Sequence, residues 1–195
     1  MLITGLTGNI GSGKTTVAGI FGAIGIPVYY ADEESKKILD EPEVRNKIVD
    51  IFGSGIIAAE SRINRKALAS LVFNNKDELC RLNSILHPRV KEHFRNWKEK
   101  QQAPYIIQES AIIYENNLAA DYDIIIHVSC PKEIAINRVI KRDEVDGNSV
   151  LRRMQFQIVD EEKSAFADYV IINDGKQPVI PQVLNIHWKL LQIGA

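Results

Sequence analysis

The chain has 195 residues, 45% of them hydrophobic and 25% charged, with a formal net charge of −1. That length has room for one sizeable α/β core with insertions, and the near-neutral charge argues against broad, nonspecific nucleic-acid binding, which requires a basic surface. No apolar run approaches the ~18 residues of a membrane span, the first strand starts as early as Leu2, and Cys80 and Cys130 fit no zinc spacing, so the expectation is a soluble, cytoplasmic protein with reduced thiols and no targeting peptide.

In chain order, the run Leu2-Ile3-Thr4-Gly5-Leu6 reads as a strand and Val17-Ala18-Gly19-Ile20-Phe21 as the body of a helix. Between them stand Gly8-Asn9-Ile10-Gly11-Ser12-Gly13-Lys14-Thr15 and then Thr16, a complete G-x-x-x-x-G-K-T phosphate-binding loop. Its glycines let successive backbone N–H groups curl around phosphate oxygens. Lys14 is placed to reach the β- and γ-phosphates, and the Thr15 hydroxyl to bind Mg²⁺. The start of the helix adds its positive dipole end at the same spot. Residues 8–16 together therefore predict a site for a nucleoside triphosphate with Mg²⁺.

Four further runs read as strands: Pro27-Val28-Tyr29-Tyr30, Tyr105-Ile106-Ile107-Gln108, Asp123 through Ser129, and Tyr169-Val170-Ile171-Ile172-Asn173. Each is short, rich in β-branched or aromatic residues and hydrophobic almost throughout, as befits parallel strands buried on both faces. Helical stretches alternate with them. The expected fold is α/β, a five-stranded parallel doubly wound sheet with right-handed crossovers, in a single domain spanning 1–195.

Two segments are too long to be plain crossovers. Residues 33–103 read as several helices, including Glu43–Ile51, Arg65–Phe73 and Lys76–Leu86, with a last helix from about Pro88 to Lys100. Residues 131–164 read as a helix, a polar break at Glu144-Val145-Asp146-Gly147-Asn148, and another helix. A sheet with a large helical insertion and a smaller helical hairpin is the layout of a small phosphoryl-transfer enzyme that closes over two substrates.

Ligands of such sheets sit at the carboxyl ends of the strands, which singles out certain charged residues. Asp32 follows the second strand and is placed either to accept or orient an acceptor hydroxyl's proton or to cap a helix starting near Glu33. Glu109 closes the third strand, where a carboxylate can hold Mg²⁺ through water; Glu115 lies six residues on. The second insertion gathers Lys132, Arg138, Lys141, Arg142, Arg152 and Arg153. Arg138 and Arg142, four apart, share a helix face from which guanidinium groups can neutralise charge on a transferring phosphoryl group; the same run can also pair with its own acids as a solvated face. His87-Pro88 reads as the end of one helix and the start of the next, with His87 a capping or packing residue.

Taken together these pieces resemble the dephospho-coenzyme A kinase family over nearly the whole chain. The resemblance is carried by Leu6 to Lys14, Ala31-Asp32, Ile63 to Ala69, Val72-Phe73, Leu82-Asn83-Ser84-Ile85-Leu86-His87-Pro88-Arg89-Val90, Asn137-Arg138 to Arg142-Asp143, Arg152 to Gln157, and Ala167 to Gly175. One departure stands out: after strand three the family carries Asp and then Pro-Leu-Leu-Phe-Glu, where this chain has Glu109 and then Ala111-Ile112-Ile113-Tyr114-Glu115. The resemblance implies transfer of the ATP γ-phosphoryl group to the ribose 3′-hydroxyl of dephospho-coenzyme A, an alcohol-acceptor phosphotransfer that ends coenzyme A synthesis. It implies Asp32 as base and acceptor contact, Arg142 and Arg138 beside Lys14 in catalysis, and His87 and Glu115 on the acceptor side. Residues 33–103 become the acceptor-binding region and 131–164 the lid, with ATP and dephospho-coenzyme A the small-molecule partners expected and no nucleic acid or membrane among them.

Two rival assignments remain open at this level. A nucleoside monophosphate kinase would share the fold with a different acceptor. A GTP-dependent switch is suggested by Asn75-Lys76-Asp77-Glu78, a near miss to the guanine-reading Asn-Lys-x-Asp that ends in Glu, and by Asp50-Ile51-Phe52-Gly53, which mimics Asp-x-x-Gly; both lie before strand three in expected helices.

Overall fold

The computed structural model describes residues 1–58, 62–72 and 75–194. They form two compact units, one of Met1–Tyr30 together with Gln101–Ala195 and the other of Ala31–Lys100.

The first unit is built on five parallel strands: β1 (Leu2–Thr7), β2 (Val28–Tyr30), β3 (Tyr105–Glu109), β4 (Ile124–Ser129) and β5 (Tyr169–Ile172), in the order β2-β3-β1-β4-β5. The expected α/β fold is therefore the observed one. The strand order reverses at β1, because β2 lies on one side of it and β4 on the other. Such a switch point opens a crevice at the carboxyl edge of the sheet. Registration aligns that edge: Leu6 sits beside Glu109 and Ile126, Thr7 beside His127, and Tyr30 beside Glu109.

Helices α1 (Lys14–Ala23) and α9 (Val179–Ile193) bury their apolar stripes on the sheet. Val17, Ala18 and Phe21 of α1 and Val183, Ile186 and Leu190 of α9 pack with Leu6, Tyr105, Ile107, Ile126, Val128 and Ile171. Phe21 meets Tyr105 edge to face, with ring centroids 6.4 Å apart. Side chains alternate across a strand, so His127 and Ser129 leave the sheet opposite Ile126 and Val128. There they receive α8 (Asp160–Phe166) through its first-turn carboxylate, Asp160.

The 131–164 segment contains α6 (Lys132–Asp143), α7 (Gly147–Met154) and most of α8. The polar break is shorter than expected. Glu144 ends α6 in a left-handed conformation, and the Asp146 side chain accepts from Ser149 N at 3.0 Å, so α7 already starts at Gly147. The third helix, α8, has no counterpart in the sequence-level expectation, since its seven polar-rich residues carry little periodic signal.

The second unit is helical: α2 (Ala31–Ile38), α3 (Pro42–Phe52), a 3₁₀ turn at Ser54–Ile56, α4 (Arg65–Val72) and α5 (Lys76–Lys98). Its own core holds Ile38, Val44, Ile48, Ile56, Ile63, Leu68, Val72 and Leu82. Asp40 ties the unit together by accepting from Ile63 N at 3.1 Å and from Arg65 at 2.9 Å. The expected helix end at Phe73 lies outside the described residues.

Two expectations change here. The helices expected at Lys76–Leu86 and Pro88–Lys100 are one continuous helix, α5, with Pro88 inside it. Proline normally stops a helix by removing an N–H and crowding the preceding turn. Apolar residues on both sides of Pro88 (Leu79, Leu82, Ile85, Leu86 and Val90) pack into the same core, and that burial carries the helix through. The guanine-reading pattern also dissolves. Asn75 caps α5, its side chain accepting from Asp77 N and Glu78 N at 3.0 and 3.4 Å, and Asp50 to Gly53 are the last turn of α3 and its C-cap.

Among the described residues no helix is long and apolar enough to cross a membrane.

Candidate active site

The phosphate-binding loop lies in the sheet unit, between Thr7 at the end of β1 and Lys14 at the start of α1. Its shape depends on residues without side chains. Gly13 is the left-handed N-cap of α1, and Gly11 also has a positive φ, 80°. A Cβ on Gly11 would collide with the Ala135 backbone carbonyl of α6, and one on Gly8 would lie 2.6 Å from Val128 O. The Ser12 N–H closes the turn onto Asn9 O at 3.0 Å. Lys14 is 8% exposed, with Nζ 3.4 Å from Asn9 O. Three side-chain oxygens, Thr7 Oγ1, Asn9 Oδ1 and Ser12 Oγ, are buried here without a hydrogen-bond partner.

A loop that turns its N–H groups toward an anion must pair its carbonyls elsewhere. The Ser12 carbonyl accepts from Asn173 Nδ2 at 2.7 Å and from Arg138 Nη1 at 3.4 Å, and Arg138 Nη2 donates to Asn173 Oδ1 at 3.2 Å. Arg138 therefore braces the loop together with Asn173, which follows β5. Asn173 stood within the expected last strand but was not singled out, because nothing local marks its partner 161 residues away.

Arg142 is disposed differently. Its Nε and Nη2 engage both oxygens of Asp143 at 2.7 and 3.1 Å, and Arg153 Nη1 adds a bond to Oδ2 at 3.0 Å. The Arg142 hydrogen bonds, joined by that of Arg153, hold the Asp143 carboxyl down to about 2. At neutral pH this carboxylate fixes Arg142 and Arg153 in one place.

A second anchor comes from the link between α7 and α8. Gln157 Oε1 accepts from Ile10 N at 2.9 Å, and Asn9 Nδ2 donates to Ile158 O at 3.2 Å. Ile158 N donates to Glu115 Oε1 at 3.0 Å, and the same oxygen is 2.6 Å from Lys163 Nζ. Lys163, fully buried, also donates to Ala111 O at 3.0 Å. Burial pulls its pKa below the ordinary lysine value although the Glu115 carboxylate opposes this.

Asp160 holds the far end of this link, 3.0 Å from His127 Nε2 and accepting from Ser129 Oγ at 2.5 Å. Burial alone would raise its pKa, but the His127 and Ser129 hydrogen bonds outweigh it and leave Asp160 below the ordinary 3.8. A depressed carboxylate stabilises the fold above its unfolded pKa, and the contribution disappears as pH falls through the lower folded value. Wild-type protein should therefore lose unfolding free energy on acidification from about pH 5 downward, and Asp160→Asn should lose less. Urea unfolding at a series of pH values checks this; parallel pH profiles for the two proteins would contradict it.

Glu109 ends β3 and is 5% exposed. Thr15 is exposed on the first turn of α1. A hydroxyl and a carboxylate are hard oxygen donors, the set that suits Mg²⁺, which keeps several waters and takes its other ligands from substrate phosphates. No cluster of three or more His, Cys, Asp or Glu side chains suited to a metal occurs among the described residues. The donors present thus fit a cation carried in with a polyphosphate better than a resident metal cage.

Two expected site residues lie on the helical unit. α2 starts at Ala31, directly after β2, which puts Asp32 with Glu33 and Glu34 inside its first turn. His87 lies on α5, and burial, with Lys91 adding to it, lowers its pKa, so the imidazole is neutral at pH 7.

Residues 2–178 match the family model of dephospho-CoA kinase. A dephospho-CoA kinase of Bacteroides fragilis is 40% identical over 184 residues, covering 93% of this chain and 89% of that protein. The fold is similar to a solved structure from Thermus thermophilus, with a TM-score of 0.87, 28% identity and 96% of each chain covered. It is also similar to the dephospho-CoA kinase from Campylobacter jejuni, with a TM-score of 0.66, 25% identity, and 99% and 98% of the two chains covered.

Proposed function

The chain belongs to the dephospho-CoA kinase family and phosphorylates the 3′-hydroxyl of dephospho-CoA with ATP as donor, the last step of CoA synthesis; from that premise we propose how its residues divide the work. The observation that carries this assignment is the loop from Gly8 to Thr16, with a positive-φ Gly11, Gly13 capping α1, and Lys14 buried against it.

The loop N–H groups from Gly11 to Thr16, the N-terminus of α1 and Lys14 grip the triphosphate. Thr15, with Glu109 through water, would hold Mg²⁺, which would supply neutralisation of the polyphosphate's negative charge. The Asp32 carboxylate accepts the 3′-hydroxyl proton as that oxygen bonds to the γ-phosphorus. The bond from phosphorus to the β,γ-bridging oxygen breaks, and ADP leaves. Arg142, released from Asp143, spreads its guanidinium over an equatorial phosphoryl oxygen, while Arg138 keeps the loop in shape behind it. Residues 131–164 serve as the lid that excludes water, and the helical unit as the acceptor-binding region, with neutral His87 part of its structure. Such an enzyme acts in the cytoplasm, a compartment that suits the free thiols of Cys80 and Cys130.

Turnover measured with ATP and either dephospho-CoA or each nucleoside monophosphate tests the assignment. Dephospho-CoA should be phosphorylated far faster; preference for any nucleoside monophosphate would transfer the chain to the neighbouring kinase class.

A further inference from the structure

A buried ion pair seldom stabilises a fold more than apolar residues of the same size would, so its presence asks for another role. Glu115 and Lys163 form such a pair: the Lys163 side chain is fully buried and that of Glu115 is 11% exposed. Glu115 Oε1 takes both the Lys163 ammonium and the Ile158 N–H, while Oε2 is buried with no hydrogen-bond partner. The pair joins the segment after β3, through Ala111 O, to α8 and to the link that precedes it. One residue of that link on each side of the peptide bond then touches the loop: Gln157 takes the Ile10 N–H, and Ile158 O takes the Asn9 amide.

Resting on the reading of that loop as the donor site, we propose that the Glu115–Lys163 pair is a positioning device for ATP, holding the Gln157–Ile158 link against Asn9–Ile10 and thereby setting the shape of the phosphate loop. Glu115 and Lys163 act through the link and touch neither substrate. Gln157 is the member that transmits the constraint, because its carboxamide is the acceptor for a loop N–H at 2.9 Å. The segments joined are far apart in the chain, with Ile10 and Gln157 separated by 147 residues and Lys163 and Ala111 by 52. Asp160 of α8 anchors the link from the far side, on β4, and so does not take the pair's place.

The test uses Glu115→Gln, Lys163→Met and Gln157→Leu in the full-length enzyme, with KM for ATP, KM for dephospho-CoA and thermal unfolding measured for each. The Gln157 side chain is half-buried and, among the described contacts, takes one loop N–H, so its variant should disturb the fold less than the ion-pair variants do. The expected result is a rise in KM for ATP of roughly three- to tenfold in all folded variants, with KM for dephospho-CoA unchanged. Combining Glu115→Gln with Gln157→Leu should raise KM for ATP no further than the larger single effect, because both act through one link. A selective rise in KM for dephospho-CoA in Glu115→Gln would overturn the proposal in favour of an acceptor contact. Lower melting temperatures with both KM values unchanged would reduce the pair to a structural one and equally overturn it. Wild-type enzyme that failed to retain ATP in a direct titration would bring down the donor reading itself, and this inference with it.

Discussion

Asp32→Asn should lower kcat by about 10² to 10⁴ with KM for ATP nearly unchanged. The substitution is close to isosteric and removes only the ability to accept a proton, so it separates catalysis from packing. Asp32 is exposed and lies within the first turn of α2, beside Glu33 and Glu34. A helix cap would precede Ala31; a residue already inside the turn meets the helix dipole, an interaction of about 0.3–1 kcal/mol that two other acids share. Because Asn keeps the side chain's shape and polarity, the expected change in melting temperature is small. Steady-state kinetics with both substrates varied is the deciding measurement. A fall in kcat of only a few-fold, accompanied by a clear loss of stability, would assign Asp32 to the helix and leave the base unidentified.

Lys14→Ala should cost about 10² to 10³ in kcat/KM for ATP, the scale seen when one preorganised donor to developing charge is removed. Lys14 is a compact charge on a stem packed inside the loop: a Cβ on Gly8 would lie 3.1 Å from its Cγ. Removing the side chain takes away the ammonium and also loosens the loop. Lys14→Arg separates the two contributions, since the guanidinium restores charge but is too broad for the space a lysine stem leaves. Little recovery in Lys14→Arg is therefore expected. Wild-type velocity in Lys14→Ala would remove the premise that this loop grips the donor.

The five strands were legible because strands buried on both faces leave a nearly continuous apolar run in the sequence, as in Ile124-Ile125-Ile126. The family was legible for a similar reason: Leu82 to Arg89 and the loop residues are contiguous strings. Where local propensity and tertiary packing disagree, the sequence misleads. Pro88 signals a helix boundary, yet burial of Leu82, Ile85 and Val90 overrides it. Asp143 is another such residue. Next to Arg142 it reads as one charge in a polar run, but its pairing with Arg153, ten residues away, depends on the turn between α6 and α7.

The sequence by itself determined the phosphate loop, the type of sheet and the class of reaction, because each depends on residues adjacent in the chain or repeating at short period. Only the tertiary structure decided that Arg138 and Asn173 brace Ser12, that Gln157 takes the Ile10 N–H, and that Glu115 is paired with Lys163. Those partners lie between 48 and 161 residues apart, the shortest being the Glu115–Lys163 step and the longest the Asn173–Ser12 bond. Hydrogen-bond complementarity across such distances leaves no periodic trace, because it is created when the sheet folds and brings its carboxyl edge together.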